Sequence, residues 1–218
     1  MGLPFTVEQF YSVFRQYNET IWPGQILLFI SALTAVILVF VPRRWSNVLL
    51  SSYLAFIWAW VALAYHLAFF ASINQLAYVF SVLSLSGAIV FCLEGVIRRR
   101  LHFAWTGRGR GWVGLALIVF ALVVYPMWSW YAGHGYPFMP TFGLPCPTTI
   151  FTIGLLSFLN RPHPRTPFII PVLWCLMGAQ AAFLLGVTQD MGLIVAGLIA
   201  IVLLVRAKHP APAVRPKN

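Results

Sequence analysis

Long apolar runs separated by short gaps, with basic residues confined to every second gap, constrain this chain more than any motif in it. Thirteen of the fourteen Lys and Arg residues fall in four places: Arg43–Arg44, the five arginines between Arg98 and Arg110, Arg161 with Arg165, and the tail from Arg206 to Lys217. Only Arg15 stands apart. Loops retained on the cytoplasmic side of a membrane keep Lys and Arg, whereas translocated loops do not. The alternation therefore predicts both the number and the direction of crossings. Apolar runs at 24–41, 47–70, 73–97, 112–132, 148–160, 167–186 and 190–206 predict seven spans, with the amino terminus outside and the carboxyl terminus cytoplasmic. A six-span arrangement, with 148–160 re-entrant, would put the Arg161–Arg165 loop and the tail on sides that break the charge pattern.

Composition supports an integral membrane protein with an all-α fold. Of 218 residues, 61% are hydrophobic and 8% charged, too apolar for an ordinary soluble domain. The net charge of +10 does not imply nucleic acid, because the basic residues sit in short loops beside apolar runs and not on one continuous face. Their expected partners are the anionic headgroups of the cytoplasmic leaflet. Residues 1–23 lack the basic start and apolar run of a cleavable signal. Instead Phe5, Phe10, Val13, Phe14, Tyr17 and Ile21 recur at helical spacing among polar residues, which predicts an amphipathic helix lying at the outer surface. The expected organisation is this outer helix over 1–23, a seven-span domain over 24–206, and a disordered cytoplasmic tail over 207–218. Small residues mark the faces where spans should meet: Ala55, Ala59, Ala62 and His66 on one run, Asn74, Ala77, Ser81, Ser84 and Ala88 on the next, and Gly178, Ala182 and Gly186 on a third.

The fifth run is the odd one. Thr148 to Asn160 would rise only about 20 Å as a helix, against the roughly 30 Å of a hydrocarbon core. The stretch before it, residues 133–147, holds four prolines and three glycines and cannot be regular helix. It is predicted to fold back into the outer half of the bundle as a lid over a polar cavity. Thr148 or Thr149 would then cap a buried helix start whose free amides suit an anion or a carbonyl oxygen.

Six residues are the candidate ligand contacts: His66, Asn74, Ser81, Ser84, Thr148 and Thr149. An ionisable group inside a span is costly, so His66 leads this group. His66, His134 and Cys146 could bind a soft or borderline metal, and His66 with His134 could hold haem, although no tight spacing supports either. Glu94 should pair with Arg98 along one helix face. Asp190 has a simpler account as a carboxylate favoured by a helix amino terminus. Trp128, Trp130, Tyr131, Tyr136 and Phe138 read as an interfacial aromatic belt. No catalytic signature emerges.

The run Gly143-Leu-Pro-Cys-Pro-Thr-Thr-Ile-Phe-Thr-Ile-Gly154 resembles the most recognisable stretch of a bacterial family of multi-pass membrane proteins of unknown function. The resemblance implies a bacterial inner-membrane setting and carries over no catalytic residue. The expectation is a small-solute or ion transporter or binding protein with an outer-facing cavity formed by spans two, three, five and six. Two alternatives stand beside it: a membrane-embedded metal or haem redox enzyme, and a non-catalytic subunit of a membrane complex. A homo-oligomer is compatible with all three.

Overall fold

Thr6 and Gln9 open the first helix by exchanging bonds: the Thr6 hydroxyl accepts from the Gln9 amide at 3.2 Å, and the Gln9 side chain accepts from the Thr6 amide at 2.8 Å. Such a capping box satisfies amides that the first turn would otherwise leave free. In the computed structural model, which describes residues 4–207, helix α1 (Val7–Ile21) is followed by α2 (Gly24–Phe40), the pair bent by 87° at Trp22–Pro23. Then come α3 (Ser46–Ser72), α4 (Leu76–Ile97), α5 (Gly109–Tyr131), a shorter α6 (Pro145–Leu156), α7 (Thr166–Leu184) and α8 (Thr188–Arg206). The described residues contain no β-strand, only two isolated bridges. The expected disordered tail, over 207–218, lies outside the described residues apart from Ala207.

All seven predicted apolar runs fall on helices, but they are not seven equal crossings. Five helices, α3, α4, α5, α7 and α8, are long and apolar enough to cross a membrane, and the bent α1–α2 pair makes a sixth if counted as one span. Helix α2 has 17 residues and α6 only 12. Exposed apolar side chains such as Leu27 and Ile37 on α2, Val79 and Val82 on α4, and Leu198 and Val205 on α8 give the bundle an apolar exterior. Water would penalise such a surface, whereas lipid does not.

Helix α6 is the axis of the bundle. Every residue from Pro145 to Leu156 is buried except the half-buried Cys146, and burial continues to Leu159. Its backbone touches that of α5 at two glycines: a Cβ on Gly114 would sit 2.7 Å from the Gly154 carbonyl oxygen. Small residues allow this approach, which is how membrane helices gain packing energy. Trp58 of α3 donates to the Thr152 hydroxyl at 3.1 Å. Glu94 pairs with Arg98 at 2.6 Å, as its spacing implied, and lies 3.6 Å from Arg100.

The basic loops meet at one end of the bundle. Asn47 accepts from the Phe103 amide at 2.9 Å, Asn160 donates to the His102 carbonyl at 2.8 Å, and Ala104 to the Phe158 carbonyl at 3.1 Å. Arg110 closes this layer by donating to the carbonyls of Ser157 and Leu159. Arg165 donates to the Ala207 carbonyl at 3.3 Å.

At the other end α1 packs on the bundle. Its apolar stripe turns inward, with Tyr17 and Asn18 fully buried, and joins Tyr65, Phe70, Leu144, Leu185 and Val187 in a second core separate from the main one. The amphipathic pattern was legible in the sequence. That stripe packs on protein because the 87° bend folds α1 across the bundle mouth.

Candidate functional site

Three of the long helices each carry one widened π turn, at Val61–Leu67 in α3, Cys92–Ile97 in α4 and Phe120–Val124 in α5. Such turns often occur at functional sites because they redirect side chains. In α3 the turn buries the sequence neighbours Tyr65 and His66 together.

His66 opens onto a cavity of about 220 Å³ beneath α1. Its walls are largely apolar and rich in aromatic rings. Phe10 and Phe14 of α1 form the roof, Tyr65, Phe70 and Phe80 one side, and Trp174 of α7 the other. Tyr65 stacks on Phe70 at 5.9 Å, Phe70 on Phe80 at 6.3 Å, and Phe80 meets Trp174 edge-on at 5.5 Å. Pro145, Cys146 and Pro147 form the floor at the start of α6. The polar groups are few: His66, Asn74, Tyr125, Cys146, Gln180 and Asp190, with the Tyr65 hydroxyl and the Trp174 indole N–H. The expected polar cavity is thus an aromatic chamber with scattered polar contacts.

Among the described residues, two polar side chains in this wall have no hydrogen-bond partner. His66 is 1% exposed and neither ring nitrogen makes a hydrogen bond; the Trp174 indole N–H is also unpaired. Buried polar groups are nearly always satisfied, and an orphan demands a ligand, a water or strain as its explanation. Asp190, which the sequence reading treated as a simple helix-start carboxylate, is 1% exposed and accepts from the Tyr125 hydroxyl at 2.5 Å. Cys146 lines the same cavity.

The predicted contacts divide accordingly. His66 and Asn74 line the cavity, and the Asn74 side-chain oxygen also accepts from the Leu76 amide at 3.0 Å. Ser81, Ser84, Thr148 and Thr149 are buried in helix packing away from it. Helix α6 begins three residues before Thr148, with Leu144 as its uncapped N-cap, so neither threonine caps it. The reason is the two prolines, which start the helix early by fixing φ. They also strip it of donors: Pro145 and Pro147 have no N–H, and the Thr148 amide bonds the Leu144 carbonyl at 3.2 Å. Only the Cys146 amide is left in the first turn, a poor cradle for an anion.

The Pro/Gly-rich stretch does sink inward, with Pro140 and Phe142 to Pro145 buried. It shares the roof with α1 and is clasped to it by Asn18. That side chain uses its full bonding capacity, donating to the Pro137 and Met139 carbonyls at 2.6 and 2.8 Å and accepting from Gln25 at 2.5 Å and Thr141 at 2.7 Å. Gly143, at φ +101°, lies under the clasp, where a Cβ would come within 2.8 Å of the Tyr17 hydroxyl.

His134 is stacked flat on Tyr11 at 3.9 Å and does not line the cavity, so His66, His134 and Cys146 are not gathered together. Among the described residues no group of three His, Cys, Asp or Glu side chains converges as a metal site. Trp128, Trp130, Tyr131, Tyr136 and Phe138 are exposed around this end, as an aromatic belt would be. Asp190, Tyr125 and Trp174 were missed as contacts because they come from three distant helices. The available signal was the acid itself, since an intramembrane carboxylate marks a site by default.

The family model DUF6064, a family of unknown function, matches residues 7–213. No curated protein and no solved structure matches the chain.

Proposed function

We propose that this chain, which belongs to the DUF6064 family, is a membrane protein that binds a small, largely apolar solute in the chamber beneath α1. The observation that supports this most is His66: a buried imidazole with two nitrogens unpartnered among the described residues, lining the aromatic-rich chamber. Keeping it unsatisfied costs about 1–3 kcal/mol, a cost that a bound polar atom would recover. In our reading the basic end faces the cytoplasm of a bacterial cell, where its arginines meet anionic headgroups, and the chamber opens toward the outer side. The chain crosses seven times, with α6 and the Pro/Gly-rich stretch together making one crossing. Solute movement across the bilayer would be a further step, since α6 and its neighbours fill the bundle below the chamber.

The fluorescent probe 1-aminoanthracene tests the chamber directly. Its emission should shift to the blue with the purified protein, and the shift should vanish in Ala181→Trp, which fills the space. His66→Leu should retain or raise the melting temperature while weakening the probe by about tenfold, the loss of one buried hydrogen bond. Equal binding to wild type and Ala181→Trp would remove the chamber as a ligand site. Transport is checked separately in proteoliposomes.

A further inference from the structure

We propose that the solute is an organic monocation, an alkylated ammonium whose charge is met by Asp190 and whose substituents pack on the aromatic wall. This deepens the binding reading above and rests on it. Of the four acidic residues in the chain, Glu8 is exposed, Glu19 pairs with Arg15, and Glu94 pairs with Arg98 and Arg100 at the opposite end. Asp190 is fully enclosed, and among the described residues no Lys, Arg or His forms an ion pair with it. Among the described residues no Lys or Arg lines the chamber.

A buried carboxylate without a counter-ion is expensive, and a charge partner recovers that cost. Phe10, Phe14, Tyr65, Phe70, Phe80 and Trp174 line the same chamber, and aromatic rings attract a cation through their quadrupoles. An aromatic enclosure with one acid is the arrangement that suits an alkylammonium group. The anionic alternative fares worse on the same geometry: Asp190 would repel it, and the proline-started α6 offers it a single free amide. The Tyr125 hydroxyl donates to one oxygen of the carboxyl group and holds it in place.

Choline and its neutral isostere 3,3-dimethylbutan-1-ol, alike in shape and different in charge, separate the outcomes when titrated by calorimetry into the full chain in nanodiscs. Choline should bind at least about tenfold more tightly than the alcohol, as expected for a desolvated charge contact. In Asp190→Asn, which keeps an acceptor for Tyr125, the two affinities should converge to within about threefold. Equal affinities in the wild type would overturn the cation assignment while leaving the chamber as a site for neutral solutes. Binding of neither, together with loss of the 1-aminoanthracene signal, would sink both. The wild-type pair decides the matter even if the variant fails to fold.

Discussion

Asn18 shows how one side chain can decide the shape of a surface. It is buried in an otherwise apolar helix face, and its four bonds tie α1 to α2 and to the 137–141 stretch. Asn18→Leu keeps the branched shape and deletes all four side-chain bonds, leaving the Pro137 and Met139 carbonyls unpaired and Gln25 and Thr141 with only each other. The variant should lose about 2–4 kcal/mol, from unsatisfied groups at about 1–3 kcal/mol each with partial relief by water. Urea titration of the purified protein checks this, and limited proteolysis should then cut near Met139. His163 makes a different prediction. It lies in the loop between α6 and α7, buried against Phe168, and burial, with Arg110 and Arg161 nearby, pushes its pKa below the usual imidazole range. The folded chain therefore keeps it neutral where the unfolded chain takes up a proton. Stability contributed this way is complete above about pH 6.5 and is lost as pH falls toward the lowered folded value. Melting temperature should drop between pH 7.5 and 5.5, and His163→Gln should flatten that slope.

At the scale of elements, α6 is a short helix made possible by its surroundings. Twelve residues rise about 18 Å, and the rest of the depth is covered by buried chain on either side, from Phe142 to Leu144 and from Ser157 to Leu159. The contact with α5 at Gly114 and Gly154 leaves no room for a methyl group. Gly114→Ala should destabilise by about 1–3 kcal/mol through overpacking, more than the gain in helix propensity of about 1 kcal/mol returns. Thermal unfolding would show it, with Gly109→Ala, where no neighbour lies near the added methyl, as the control that should be neutral or slightly stabilising. The length mismatch and the proline-rich approach were readable in the sequence because both follow from local chain geometry. The start of α6 was misplaced by three residues because the two threonines looked like caps, while Pro145 and Pro147 had already set the helical φ.

For the whole molecule, the two ends differ in charge and in build. One gathers Arg43, Arg44 and the arginines of the two later loops around Asn47, His102 and Leu159; the other gathers α1, the aromatic belt and the chamber. In a variant with Cys92, Cys146 and Cys175 replaced by Ser, a cysteine at Arg44 and one at Tyr136 should label with an impermeant maleimide from opposite faces of the membrane. Labelling of both from the same face would refute the sidedness. What the sequence determined alone was the class: hydropathy and charge act locally, residue by residue, so the apolar helices and the grouping of basic loops could be read without coordinates. What only the tertiary structure decided was the chamber. Phe10, Tyr65, Tyr125, Trp174 and Asp190 belong to five different helices, and a linear pattern carries no information on which of their faces converge. The bend at Trp22–Pro23 and the clasp at Asn18 bring α1 over them, turning a stripe that could equally have met lipid into the roof of an enclosed site.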